Sequence, residues 1–173
     1  PSPSDFSFSA LMCDAIYRYD ITVGSESIDL LGHVNNREYL RWMEEAATAH
    51  AAGLGWSFEN LKAIRRAWVA REHWIEYLMP AFEGERLELF TWVQNLRGAA
   101  SLRRYALRRG DDLLMTGATE WVFVDYERRR PVLVTPEMRA SFPCVAEDDP
   151  RLEALGIARC VRWSPAPAHR GGA

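Results

Sequence analysis

Cysteine is scarce: Cys13, Cys144 and Cys160 are the only three in 173 residues. Their odd number and wide spacing exclude a disulfide framework and a CxxC metal half-site. Thiols used this way suit a cytoplasmic protein. Four histidines (His33, His50, His73 and His169) share no HExxH spacing, so no metal site is expected. Long apolar runs are missing as well. Nothing approaches the roughly 18 residues of a membrane span, and the opening PSPSDFSFSA lacks the basic and apolar regions of a secretory signal. Positive charge is not in excess, since the formal net charge is -3. That balance argues against a nucleic-acid partner. There is no GxGxxG, no GxxxxGK[ST] and no GxSxG, and no Ser/His/Asp set gathers at a convincing turn. Dinucleotide, P-loop and serine-nucleophile chemistry therefore have no sequence support, and no cofactor is expected.

What remains is the composition of a globular domain, 48% hydrophobic and 26% charged, at a length that suits one core. Residues 1–14 and 164–173 are rich in Pro, Ser, Gly and Ala and read as flexible ends, which leaves a single domain over 15–163. Residues 17–24, YRYDITVG, read as a strand. From Asn36 to about Ala52 the pattern is helical, with Tyr39, Met43, Ala46, Ala47, His50 and Leu54 on one side and Arg37, Arg41, Glu44 and Glu45 on the other. Asn35 with Glu38 resembles a capping box, Asn36 being the alternative cap, and Gly53 and Gly55 stop the helix.

Four more extended segments follow, Ala67 to Leu78, Arg86 to Gln94, Ala100 to Arg109 and Leu113 to Tyr126, separated by turn residues. In the third, Tyr105 and Leu107 face one way and Arg104 and Arg108 the other. WVFVD near the end reads as a strand covered on both faces. A short helix fits Pro150 to Leu155. One long helix with several strands is too little helix for βαβ units, so the class is α+β. Trp68, Trp74, Trp92 and Trp121 are more than one thin core requires, which suggests subunit contact.

Residues 27–46 read SIDLLGHVNNREYLRWMEEA. Asp29, Gly32, His33, Asn35 and Asn36 crowd into eight positions where an extended segment gives way to the helix. Each has an ordinary role available, as turn former, cap or satisfied histidine. Together they offer more. The first amides of a helix point outward unpaired and favour negative charge, so an acyl carbonyl lodged there is polarised and its oxyanion stabilised. A carboxylate seven residues upstream can act across that carbonyl as nucleophile or general base.

The stretch DLLGHVNNREYLRWMEEA resembles the helix start of the 4-hydroxybenzoyl-CoA thioesterase family, a branch of the hotdog-fold superfamily. Asp29, Gly32 and Tyr39 stand at the family's pattern positions, and YLMPAFEGERLELFTWV and TEWVFVD resemble its next blocks, so the likeness runs from about Tyr17 to Pro136. It implies a long central helix wrapped by a curved antiparallel β-sheet. It also implies pairing into a homodimer or dimer of dimers, with sites at the subunit boundary and an acyl-CoA hydrolysed to acid and thiol. By the same resemblance Asp29 is the catalytic carboxylate and the Asn36 amide donates to the thioester oxygen. Gly32, His33, Asn35 and Tyr39 shape the substrate site. Glu45 falls at the helix surface or an interface. His-Val-Asn-Asn departs from the bulky residues of branches that take aromatic acyl groups, which weighs against hydroxybenzoyl-CoA itself.

Coenzyme A would enter as part of the substrate, and its phosphates need cations. Arg103-Arg104, Arg108-Arg109 and Arg128-Arg129-Arg130 are candidates, the last favoured because it directly follows a strand. An acidic acyl carrier protein would suit similar patches. Other readings of the same fold are a non-catalytic acyl-binding or assembly protein, and a dehydratase or hydratase, whose motifs are not intact here.

Overall fold

The computed structural model describes residues 15–159 and Pro165. In chain order these form β1 (Tyr17–Thr22), a 3-10 turn (Ser25–Ser27), α1 (Asn36–Gly53), α2 (Phe58–Ala63) and β2 (Arg66–Tyr77). There follow β3 (Arg86–Arg97), β4 (Ala100–Arg109), β5 (Asp112–Asp125), β6 (Arg130–Pro131), α3 (Pro136–Ser141) and α4 (Pro150–Ala154). The expected flexible ends, 1–14 and 164–173, lie outside the described residues except for Pro165, as do Cys13, Cys160 and His169.

The sheet runs β1-β3-β4-β5-β2, with β6 pairing β5, and every pairing is antiparallel. Because β1 and β2 lie at opposite edges, the connection between them must cross one face, and α1 is that connection. Register shifts at Ala70/Glu72, Val93/Asn95 and Leu107/Arg108 leave Arg71, Gln94 and Leu114 unpaired and mark bulges in β2, β3 and β5. Bulges bend strands and increase twist, which lets the sheet wrap the helix. The result is the α+β hotdog arrangement, a long helix in a curved antiparallel sheet.

Strand alternation builds the core. Leu87 and Leu89 of β3, Tyr105 and Leu107 of β4 and Met115 of β5 pack against Tyr39, Trp42, Met43, Ala46 and Ala47 of α1. Each fully buried Leu or Met in such a layer contributes about 1.5–3 kcal/mol. Trp42, not assigned to the inner stripe from sequence, is buried there. Gly117 of β5 permits the close approach of α1: a Cβ there would lie 3.1 Å from Met43 Cε and 3.2 Å from the Trp74 carbonyl oxygen.

The outer face departs from expectation. Phe90, Trp92 and Ala106 are covered by Ile16, Val145, Leu152 and Ile157 of the same chain, so Trp92 is explained without a second subunit. In WVFVD, Phe123 is buried but Val122 and Val124 are only half-buried. The short α2 and α3 were not anticipated. Six residues carry too little periodicity, although both begin with a side-chain cap, Ser57 Oγ accepting from Asn60 N and Thr135 Oγ1 from Met138 N, each at 3.2 Å.

Candidate active site

The loop before α1 is closed by its own backbone. Ile28 and Val34 form an antiparallel bridge, Asp29 N donates to the His33 carbonyl at 2.9 Å, and Gly32 N donates to the Asp29 carbonyl at 3.1 Å. Gly32 takes φ +84° with nothing near its absent Cβ, so the turn selects glycine for backbone conformation and not for space. Val34 N and Asn35 N, bonded at 2.9 Å to the carbonyls of Ala81 and Ser27, tie the loop down. Asp29 Oδ1 accepts from Leu31 N at 2.8 Å, the Asx turn. Its Oδ2 lies 3.7 Å from His33 Nδ1. The carboxylate is thus held by one oxygen, with the other directed to a histidine.

Asn35 is the cap. Its Oδ1 accepts from Arg37 N at 3.1 Å and its carbonyl from Glu38 N at 2.9 Å. The Asn36 N–H, at the first helical position, has no acceptor among the described residues. The capping box is not completed. Glu38 turns instead to Ser27 Oγ at 3.2 Å and to Arg41 Nε and Nη2 at 2.9 and 2.6 Å. Burial pushes its carboxyl up, but Arg41 and Ser27 together hold it below the ordinary value. Arg41 continues to Glu45 at 2.7 Å, and Glu45 accepts from the Tyr19 hydroxyl at 3.1 Å. This network fixes the first turns of α1 against β1.

A cleft of about 220 Å³ opens beside the helix start, lined by His33, Val34, Asn36, Tyr39, Tyr77, Leu78, Met79 and Pro80. Of the residues singled out from sequence, His33, Asn36 and Tyr39 form its wall. Asp29 adjoins it through His33, Gly32 supplies the turn, and Asn35 the cap. Tyr77 was missed. Its ring packs edge-on to Tyr39 at 5.1 Å and its hydroxyl donates to the Asn36 carbonyl at 3.4 Å, which places the end of β2 against the start of α1.

The arginine clusters separate sharply. Arg103 and Arg104 are buried, because β4 is a central strand covered on both faces. Arg108 donates to the Leu155 carbonyl, and Arg109 pairs with Glu85 at 2.7 Å. Neither pair is a free phosphate site. Arg128, Arg129 and Arg130 are exposed. Asp125 organises their turn by accepting from Arg128 N at 2.9 Å and Glu127 N at 3.1 Å, bonds that hold its carboxyl low. They do not join Asp29 within one chain. Asp125 pairs with Arg66 at the start of β2, whereas the cleft adjoins Tyr77 at its end. At about 3.3 Å per residue those ends are roughly 36 Å apart.

Sequence reading also missed a larger cavity, about 540 Å³, between the C-terminal half of α1, α2 and the inner sheet face. Ala47, Ala51, Leu61, Trp68, Val93, Leu96, Trp121 and Phe142 give it an apolar wall. Arg103 and Ser101 lie within it, and Glu44, Lys62 and Arg66 also line it. Among the described residues no three His, Cys, Asp or Glu side chains gather as a metal site, and no helix is long and apolar enough to cross a membrane.

A helix start with an unspent amide, a carboxylate in the loop before it and a hotdog frame define a thioesterase-like class. The sequence profile of the thioesterase-like superfamily matches residues 23–142; the chain belongs to that superfamily. It is 26% identical over 132 residues to the acyl-CoA thioesterase YbgC of Haemophilus influenzae, covering 76% of this chain and 97% of the relative. Among solved structures it resembles a protein of Aquifex aeolicus, with TM-score 0.69, 19% identity, and 73% and 98% of the two chains covered. The 1,4-dihydroxy-2-naphthoyl-CoA thioesterase of Synechocystis superposes with TM-score 0.67 at 18% identity, over 73% of this chain and 94% of its own. These structural likenesses concern the fold.

Proposed function

We propose that this protein hydrolyses an acyl thioester, carried on coenzyme A, to a carboxylic acid and a thiol. The observation that supports the reading is the Asn36 N–H left without an acceptor at the start of α1, with the Asp29 carboxylate in the loop that leads into that helix. The thioester oxygen accepts from that amide and the helix dipole favours the negative charge that develops. The Asp29 carboxylate then serves in one of two ways. As a general base it takes a proton from water, whose oxygen attacks the carbonyl carbon as the C–S bond breaks, and the proton passes to the departing thiolate. As a nucleophile it attacks directly, expels the thiolate and forms a mixed anhydride that water then cleaves. His33, whose Nδ1 lies 3.7 Å from Asp29 Oδ2 and 3.4 Å from the Val34 carbonyl oxygen, flanks the carboxylate in either path. Tyr39 and Asn35 hold the cleft wall and the helix start.

The working unit in this reading is a homodimer. β2 is a twelve-residue strand at the edge of the sheet, with β5 as its partner on one side. Such an edge invites a second copy, and the mid-strand residue Val69 is 45% exposed. Two copies of β2 pairing antiparallel about a two-fold axis bring the Tyr77 end of one chain beside the Arg66–Trp68 end of the other. Each Asp29 loop then meets the 540 Å³ cavity and the Arg128–Arg130 turn of its partner. The acyl group enters that cavity while the arginines meet the coenzyme A phosphates. An acidic acyl carrier protein would use the same arginine turn. The test is thiol release from a panel of short, long and aromatic acyl-CoAs with an acyl carrier thioester alongside. Hydrolysis of at least one class supports the proposal. Binding without thiol release from any of them overturns it in favour of an acyl-binding protein.

A further inference from the structure

Arg103 is 4% exposed and lies on the inner face of β4, at the wall of the larger cavity. Its Nη1 donates to His50 Nδ1 at 3.0 Å and to Thr91 Oγ1 at 3.1 Å. Arginine has no acceptor to offer, so His50 receives at Nδ1 and carries its proton on Nε2. Both acceptors are neutral. Among the described residues no carboxylate forms an ion pair with Arg103. Glu44, the acid that lines this cavity, is exposed on α1, and Arg66 is already paired with Asp125 at 3.1 Å. A buried guanidinium surrounded by apolar walls and lacking an anion is costly to maintain.

We infer that this cavity is a specificity subsite for an acyl group ending in a carboxylate, with Arg103 receiving that carboxylate at the chamber wall. The substrate class is therefore a thioester of a dicarboxylic acid, with one end activated and the other free. This deepens the hydrolase reading and rests on it for the placement of the acyl group. An apolar chamber of about 540 Å³ takes the intervening methylenes, and the planar guanidinium suits a carboxylate approaching along the chamber. Burial pulls the Arg103 guanidinium below its ordinary value, with Tyr105 acting the other way; an incoming anion would relieve that cost. A purely apolar acyl group would leave the charge uncompensated, so the site discriminates against an isosteric methyl terminus. Arg103 acts on specificity, and the chemistry at Asp29 does not require it.

The experiment compares adipoyl-CoA with hexanoyl-CoA and suberoyl-CoA with octanoyl-CoA on the full-length protein. Two readouts run in parallel: thiol release, and quenching of the cavity tryptophans Trp56, Trp68 and Trp121, which requires no turnover. The wild-type protein should favour the carboxylate-ended member of at least one pair by about 30-fold or more. Arg103→Met should abolish that preference while retaining hexanoyl-CoA or octanoyl-CoA binding. Ser101→Asp, which adds a carboxylate two residues away on the same strand face, should abolish it too, and it serves if Arg103→Met does not fold. A wild-type preference for neither dicarboxylyl thioester, or one that survives in either folded variant, overturns the inference. Hydrolysis without preference defeats this subsite and leaves the hydrolase standing. Preference in fluorescence without thiol release does the reverse.

Discussion

A site shared between two chains makes a quantitative prediction for mixed dimers. Asp29 stands at the Tyr77 end of β2, and the 540 Å³ cavity at its Arg66–Trp68 end. In the proposed dimer, antiparallel pairing of the two β2 strands would build each site from the Asp29 loop of one chain and the cavity of the other. Asp29→Asn removes the carboxylate. Thr48→Trp places an indole at the cavity, from an exposed position on α1 where bulk is tolerated. Each variant alone should be nearly inactive. When both are co-expressed with different tags, about half of the dimers are mixed, and each mixed dimer has one intact site and one doubly defective site. About one quarter of wild-type thiol release should therefore return, rising to about one half in mixed dimers purified through both tags. A site contained within one chain would leave every site in the mixed dimer carrying one lesion. No recovery from a folded, doubly tagged dimer, or a monomer in light scattering, would refute the shared arrangement.

Replacing Arg128, Arg129 and Arg130 together by Gln should raise KM for acyl-CoA more than it lowers kcat, because remote phosphate contacts contribute nearly uniform binding; steady-state kinetics should show no matching loss on a short thioester lacking the nucleotide. Gly32→Ala has room but the wrong φ, so about 1 kcal/mol of strain should enter the loop, seen as a several-fold lower kcat with only a small change in Tm. Stability should fall on acidification in two stages. Burial holds His73 below its usual 6.5, with Glu44 opposing, so its contribution is complete above that value and is lost as pH falls through the lower folded value. Glu38, held below 4.5 in the fold, adds a second loss below that value. Thermal unfolding of His73→Gln across this range should lack the first stage and keep the second.

The sequence made α1 legible because eighteen residues carry five turns of periodicity and a polar cap. It placed Trp42 on no face because the apolar stripe is wider than a narrow seam: Trp42 lies between Tyr39 and Ala46 and shares their burial. The candidate site was legible for a local reason. Asp29, Gly32, His33, Asn35 and Asn36 are close in sequence, so a turn and a helix start suffice to gather them. The larger cavity was not, since its walls come from α1, α2 and four strands and meet only once the topology is known. Arg103 and Arg104 looked like surface charge, but neighbouring residues on a central strand point to opposite covered faces. Trp92 likewise suggested a partner until the segment around Val145, Leu152 and Ile157 was seen to fold back over it.

The central claim is that the Asp29 carboxylate performs the hydrolysis. Asp29→Asn keeps an oxygen to accept from Leu31 N, now at 2.8 Å, and so preserves the loop while removing both basicity and nucleophilicity. With the acyl-CoA that the wild-type protein cleaves best, thiol release should fall by at least about 100-fold, while Tm and acyl-CoA binding by tryptophan fluorescence change little. Near-normal thiol release from the folded variant would contradict the account and leave Asp29 as the former of an Asx turn.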